Sequence, residues 1–126
     1  MQFRTDRQRV HGLGTAHAGT GHWWSQRLSS IALVPLTLFF LFPFARNLGQ
    51  SFETVRAAYA QPFNAVVAIL FLAVGFYHLQ HGIQEVILDY VHDKPMRTAA
   101  ILLNTLLTWA FALTGIFAVA KIAFAA

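Results

Sequence analysis

The chain has 126 residues, of which 56% are hydrophobic and only 11% are charged, far from the composition of an average soluble domain. Its formal net charge of +4 does not indicate nucleic-acid binding, because the basic residues stand at the ends of long apolar runs rather than in one patch. The chain contains no cysteine, which excludes disulfides, thiolate-ligated iron–sulfur clusters and cysteine zinc sites within it. The composition predicts a small integral membrane protein.

Residues 1–21 carry Arg4, Arg7 and Arg9, followed by a segment rich in glycine, alanine, threonine and histidine. This segment lacks the apolar core of a secretory signal. We therefore expect a retained cytoplasmic tail over 1–21 and a membrane domain over 22–126.

Three long runs lack Asp, Glu, Lys and Arg, at 28–45, 57–84 and 98–120. A membrane core of about 30 Å is crossed by about 20 helical residues. Trp23 and Trp24 extend the first run at the interface, and Pro62 suits the first turn of the second helix. The pattern predicts an all-α fold with three transmembrane helices, at about 25–46, 62–90 and 97–121.

The basic residues predict the orientation of the three spans. Three spans place the N-terminus and the second connection on one side of the membrane. The basic residues on that side are Arg4, Arg7, Arg9, Arg27, Lys94 and Arg97, and those on the other side are Arg46, Arg56 and Lys121. Because the side richer in Lys and Arg faces inward, we expect the N-terminus in the cytoplasm, or in the matrix of a mitochondrion.

The end of the second span carries polar residues that are costly inside a membrane and therefore indicate function. On a helix, one stripe within about 40° contains His78, Gly82, Glu85 and Asp89. We expect this face to point away from lipid.

His78 is the candidate metal ligand of this stripe. A neutral imidazole inside a bundle is a suitable axial ligand for haem iron, and Gly82 one turn later leaves room for a flat macrocycle. A hydrogen bond to a neighbouring helix explains His78 equally well. His81 is either a packing or hydrogen-bonding residue or the competing ligand.

Asp89 and Tyr90 lie roughly 18 Å further along the helix axis than His78, near the membrane interface. A phenol there can donate a hydrogen bond to a quinone carbonyl, and a carboxylate can orient its neighbours or pair with Arg27. The ordinary alternatives are an interfacial aromatic residue for Tyr90 and hydrated acids at the helix end for Asp89 and Glu85.

Polar residues in the other two spans have simpler explanations. Arg27 either neutralises a haem propionate or extends to the interface as a topology signal. His22 has the same ambiguity, and its position before the expected span argues against metal ligation. Asn104 and Thr108 are expected to form interhelical hydrogen bonds.

Two segments carry a family resemblance. The first has the pattern His-x-x-x-Gly-x-x-x-x-x-x-Asp-Tyr and contains His78, Gly82, Asp89 and Tyr90; the second runs His22-Trp23-Trp24-Ser25-Gln26-Arg27 and continues into 29–36. With three spans in the same order, the chain over nearly its whole length resembles the hydrophobic membrane anchor subunit of succinate dehydrogenase in its alphaproteobacterial or mitochondrial-like form.

The resemblance implies that His78 supplies one axial ligand to a haem b and that a partner cytochrome b subunit supplies the other. Tyr90 would border the ubiquinone site with Asp89 beside it, and Arg27 and His22 would approach the haem propionates or the quinone. His81 is not part of the family pattern, nor is Glu85. Some relatives carry no haem.

The resemblance also implies an assembly, in which FAD and the iron–sulfur clusters belong to the flavoprotein and iron–sulfur subunits. The chain would not be catalytic alone. It would anchor succinate:ubiquinone oxidoreductase, respiratory complex II, which joins the tricarboxylic acid cycle to electron transport, in the lipid of a bacterial or mitochondrial inner membrane.

Two other classes of function fit parts of the pattern. A small proton-coupled transporter would use Glu85 or Asp89 as its carrier acid, although both acids lie toward the helix end rather than at the midplane. A purely structural anchor without haem would tolerate changes at His78.

Overall fold

The computed structural model describes residues 5–11 and 19–124, which form five α-helices and no strand. In chain order these are α1 Asp6–His11, α2 Gly19–Asn47, α3 Phe52–Ala60, α4 Pro62–Tyr90 and α5 Lys94–Phe124. Of these, α2, α4 and α5 are long and apolar enough to cross a membrane. The predicted all-α architecture with three spans is confirmed.

The first spanning helix, α2, begins earlier than the expected span of 25–46. The candidate membrane span in α2 starts at Thr20, so His22, which we expected before the span, lies inside the helix. Much of the predicted tail, residues 1–4 and 12–18, lies outside the described residues, and α1 covers part of the remainder.

The first connection contains a helix, α3, that the hydropathy pattern did not predict. Ser51 caps its start, because the Ser51 side chain accepts a hydrogen bond from the Thr54 backbone N–H, and Glu53 lies in the first turn. Gln61 then separates α3 from α4, which begins with Pro62 at its first turn. The bounds of α4 coincide with the expected span of 62–90.

The central element of the bundle is α4, which packs against α2 on one side and α5 on the other, while α3 contacts all three. The buried apolar residues are small, namely Ala65, Val67, Ala68 and Ala112, whereas most large apolar side chains point outward. Small residues allow helix backbones to approach closely, and a bilayer tolerates an apolar exterior. Both features suit a protein that spans a membrane.

The α4–α5 contact contains a polar cluster at mid-span. Asn104 donates through Nδ2 to the Gln80 carbonyl at 3.0 Å, and Gln80 donates through Nε2 to Thr105 Oγ1 at 3.2 Å. The prediction of an interhelical hydrogen bond is therefore confirmed for Asn104. Thr108 instead bonds within its own helix, to the Asn104 carbonyl at 2.7 Å.

Candidate functional site between α2 and α4

The seam between α2 and α4 is antiparallel and is polar at the end where α2 begins and α4 finishes. Two stripes of residues meet there, each with positions 0, 4 and 7 counted from its first residue. The stripe of α2 starts at His22 and that of α4 at His78. Such offsets place side chains on one face of a helix. The opposed pairs are His22 with Glu85, Gln26 with Gly82, Ser29 with His78 and, further inward, Leu33 with Gly75.

His78 is half-buried and is held by α2. Its Nδ1 lies 3.0 Å from the Ser29 hydroxyl oxygen, and that hydroxyl also donates to the Gln26 carbonyl at 3.0 Å. Ser29 is only 6% exposed. The imidazole therefore has one nitrogen fixed in the seam, which leaves Nε2 for a second partner.

His22 joins the two helices near the open end of the seam. Its Nδ1 lies 2.9 Å from Glu85 Oε1, and its ring stacks on His81 with centroids 4.7 Å apart. The other ring nitrogen of His22 is buried and has no hydrogen-bond partner among the described residues. A buried polar atom left unpaired is costly, so this nitrogen indicates a place where a ligand would bind.

An open cavity of about 680 Å³ lies beside these pairs, within the size range of ligand pockets. Its walls are formed by His22, Trp23, Gln26, Arg27 and Ser30 of α2 and by His78 and Glu85 of α4. Gln26 Oε1 is buried there without a partner among the residues that the structure describes. The cavity thus brings together an imidazole, a guanidinium and unpaired polar atoms.

Gly82 does not face open space. A Cβ at this position would lie 3.9 Å from Gln26 Nε2, an ordinary van der Waals distance. A Cβ at Gly82 would therefore fit against the side chain of Gln26 on α2 in this structure.

His81 stacks on His22 of the cavity wall but does not itself line the described part of the cavity. Its Nδ1 lies 3.0 Å from the Tyr77 carbonyl of the preceding turn, and its ring also packs on that of Tyr77, with centroids 4.3 Å apart. In the described part of the chain, His81 is not among the residues that line the cavity. Its contacts are those of a packing residue.

Asp89 and Tyr90 lie beyond the cavity, at the exposed end of α4. Tyr90 is 78% exposed, and its carbonyl lies 3.2 Å from His92 Nδ1. Among the described residues no ion pair joins Asp89 to Arg27, whose guanidinium instead lies 5.5 Å from the ring centroid of Trp23. The structure therefore separates the predicted quinone residues from the predicted haem ligand.

Three residues of the site were not predicted from the sequence in these roles: Ser29 against His78, Gln26 against Gly82, and Glu85 paired with His22. A signal for them exists, because polar residues recur at His22, Gln26 and Ser29 with helical spacing. Matching this stripe of α2 with the stripe of α4 would have identified the polar seam.

Two other cavities have mainly apolar walls. One of about 450 Å³ lies at the opposite end of the bundle, next to α3, and one of about 250 Å³ lies between α4 and α5. In the former, the Tyr59 hydroxyl is buried without a partner among the described residues, and burial raises the pKa of Tyr59. Among the residues that the structure describes, neither cavity is lined by histidine or a charged residue, so the α2–α4 cavity is the better candidate for a metal cofactor.

Comparison with known proteins decides the family. Residues 1–119 match the family model described as succinate dehydrogenase/fumarate reductase transmembrane subunit. The chain belongs to this family. The resemblance to the hydrophobic membrane anchor subunit of succinate dehydrogenase, stated from two motifs, is thereby confirmed.

Individual relatives agree with this family assignment. The chain is 36% identical to the succinate dehydrogenase hydrophobic membrane anchor subunit of Paracoccus denitrificans, over 96% of this chain and 93% of that protein. It is 34% identical to the succinate dehydrogenase membrane anchor subunit of Reclinomonas americana, over 68% and 74% of the two chains. The corresponding protein of Rickettsia bellii is 27% identical, over 79% and 80%. No solved structure matches the chain significantly.

Proposed function

We propose that the chain is a membrane anchor subunit of succinate dehydrogenase, that His78 supplies one axial ligand to a haem b, and that Tyr90 forms part of the ubiquinone-reduction site. Family membership supports the anchor role. The observation that carries the haem assignment is the position of His78 on the wall of the α2–α4 cavity, with Nδ1 held by Ser29. The second axial histidine would come from a partner cytochrome b subunit.

The cavity residues fit a haem b. Haem iron takes a neutral imidazole nitrogen as axial ligand, and the Nε2 of His78 is the nitrogen that Ser29 leaves free. The carboxylate groups of a haem need positive charge or hydrogen-bond donors, and Arg27 lines the same cavity. The unpaired nitrogen of His22 supplies a further polar contact.

A haem ligated by two histidines supplies a site that accepts and returns one electron. The contribution of this chain is to hold and orient that group. His78 on α4 would hold the group, Arg27 on α2 would neutralise its negative charge, and Glu85 fixes the ring of His22 through the 2.9 Å contact.

Tyr90 and Asp89 serve the quinone site in this proposal. Reduction of ubiquinone requires two protons, and a phenol hydroxyl can donate a hydrogen bond to the quinone carbonyl while a neighbouring carboxylate accepts one. Both residues are exposed at the end of α4, where an iron–sulfur subunit would cover them. By the positive-inside rule this end faces the cytoplasm or the mitochondrial matrix, with the chain in the inner membrane and FAD confined to the flavoprotein subunit.

A proton-coupled transporter is less well supported. Glu85 is held by His22 and its side chain is 51% exposed, and Asp89 is exposed near the end of α4. Neither acid lies at the middle of a span, where transporters place coupling residues. An anchor without haem would tolerate replacement of His78.

A reduced-minus-oxidised visible spectrum of the purified complex tests the haem assignment. We expect a b-type signal in the wild type, its loss in His78→Ala and its retention in His81→Ala, because His81 packs on Tyr77 outside the cavity wall. His81→Ala is the matched control, one turn away on the same helix.

Two results would contradict the haem proposal. A wild-type complex without a b-type signal would indicate an anchor that holds no haem. Loss of the signal in His81→Ala with retention in His78→Ala would transfer the ligand role to His81. Subunit content measured on the same preparations separates loss of haem from loss of assembly.

A further inference from the structure

The hydroxyl of Ser29 contacts two groups but has only one proton. It lies 3.0 Å from the Gln26 carbonyl oxygen and 3.0 Å from His78 Nδ1. A backbone carbonyl can only accept, so the Ser29 proton is directed to Gln26. The second contact then requires a proton on the histidine, and Nδ1–H of His78 donates to the Ser29 oxygen.

We propose that Ser29 is the positioning residue for His78, fixing the imidazole in the tautomer that is protonated at Nδ1 and that offers the Nε2 lone pair to the iron. This inference rests on the proposed haem function. It extends the site to a hydroxyl on the neighbouring span, which approaches iron only through His78.

The surroundings of Ser29 make this arrangement rigid. Ser29 is 6% exposed, so water has little access to compete for the Nδ1 proton. The hydroxyl is itself anchored to the preceding turn of α2. A hydrogen bond to one ring nitrogen fixes both the tautomer and the rotation of an imidazole, which is how outer partners orient metal-ligating histidines.

Ser30 provides a matched comparison. Its hydroxyl donates to the same Gln26 carbonyl at 2.8 Å, and it lines the same cavity, but the structure gives it no contact with His78. The two adjacent serines therefore share their helix, their backbone acceptor and their size. They differ in the bond to the imidazole.

The bond from Nδ1–H makes the ligating imidazole more electron-rich, which stabilises ferric more than ferrous iron. Loss of the Ser29 oxygen is expected to raise the midpoint potential of the haem. Haem retention should also fall by roughly 10-fold, which is the scale observed when the outer hydrogen-bond partner of a metal ligand is removed.

The test uses the purified complex with Ser29→Ala and Ser29→Thr. Redox titration gives the haem midpoint potential, electron paramagnetic resonance reports the ligand field of the ferric haem, and transfer to apomyoglobin reports haem retention. We expect Ser29→Ala to raise the potential, alter the ferric spectrum and lose haem faster. Ser29→Thr, which keeps the hydroxyl, should resemble the wild type.

The outcomes separate this inference from the function on which it rests. A Ser29→Ala complex that binds haem with the wild-type potential and ferric spectrum would overturn the role of Ser29 and leave His78 as a ligand. A wild-type complex without haem would overturn both. If Ser29→Ala fails to assemble, Ser29→Cys has a similar size and a poorer acceptor, and a wild-type potential in that variant would also overturn the proposal.

Discussion

Polar side chains of α5 and of α2 pack against two faces of α4. The two groups differ in how many of their polar atoms have hydrogen-bond partners. Toward α5, Asn104 and Thr108 are 8% and 7% exposed, and each donates a hydrogen bond to a backbone carbonyl. Toward α2, the Nε2 of His22 and the Oε1 of Gln26 are buried without partners among the described residues, next to an open cavity. The first group, which we call the closed cluster, is hydrogen-bonded within the protein. The second group has polar atoms without partners.

This difference separates packing from binding. Polar atoms inside an apolar bundle almost always find partners, and where the protein supplies all of them the group contributes to helix association. Where partners are missing beside a cavity, the remaining bonds are available to a ligand. The α5-facing cluster therefore stabilises the bundle, while the α2-facing cluster is the candidate functional one.

The unpaired cluster is confined to one end of the α2–α4 seam. Further along, a Cβ placed on Gly75 would lie 3.8 Å from Leu33 Cδ2. Phe40 stacks on Phe71 with ring centroids 4.4 Å apart. These contacts are apolar. The candidate functional half of the seam is thus the half that contains His78 and the start of α2.

Tyr90 belongs to neither cluster. Of the three substitutions considered next, its replacement should have the largest effect on activity. In Tyr90→Phe the hydroxyl that would donate to the quinone is lost, and we expect quinone reduction to fall by roughly 100-fold, in line with the loss of a proton donor. Succinate oxidation with an artificial dye should remain unchanged, and so should the haem spectrum.

The matched control for Tyr90 is Tyr77→Phe. Tyr77 lies on the same helix and packs on His81, away from the exposed end of α4. Quinone activity in Tyr90→Phe equal to the wild type would remove Tyr90 from the reaction. An equal loss in both variants would point to a general effect on α4.

Arg27 tests whether the α2-facing cluster binds an anionic group. In Arg27→Gln the positive charge that lines the cavity is lost, and we expect haem retention to fall by roughly 10-fold, because a charge-assisted hydrogen bond contributes about 1.5–3 kcal/mol. Haem transfer from the purified complex to apomyoglobin measures this effect.

Arg27→Lys is the control, because it keeps the charge but not the planar guanidinium. Retention close to that of the wild type in Arg27→Lys supports a charge effect. If Arg27→Gln retains haem as well as the wild type, Arg27 acts only as a topology signal at the membrane interface.

The sequence was sufficient to predict the three spanning helices and the face of α4 that packs against α2. Uncharged length identified α2, α4 and α5, and helical periodicity placed His78, Gly82 and Glu85 on one face, which the structure turns toward α2. These features follow from the local sequence because they depend on hydropathy and on 3.6 residues per turn.

The partner of that face was not predicted, for a physical reason. Which turn of α2 lies opposite which turn of α4 depends on packing between distant segments, so the bond from Ser29 to His78 requires the assembled bundle. The early start of α2 and the helix α3 were missed because interfacial turns such as that begun by Ser51 are polar and lack the hydropathy of a span.

Asn104 tests the closed cluster and should show the smallest effect. In Asn104→Ala the bond to the Gln80 carbonyl is lost, and we expect the free energy of unfolding to fall by about 1 kcal/mol, the scale of interhelical hydrogen bonds in membranes. The haem spectrum should be unchanged. Thermal denaturation of the purified complex measures the change. Thr108→Val is the control. The Thr108 hydroxyl bonds within α5, and hydrogen bonds of this kind add little to the stability of a helix. A lost haem signal in Asn104→Ala with unchanged stability would reverse the assignment of the two faces, since the closed cluster would then act on the cofactor.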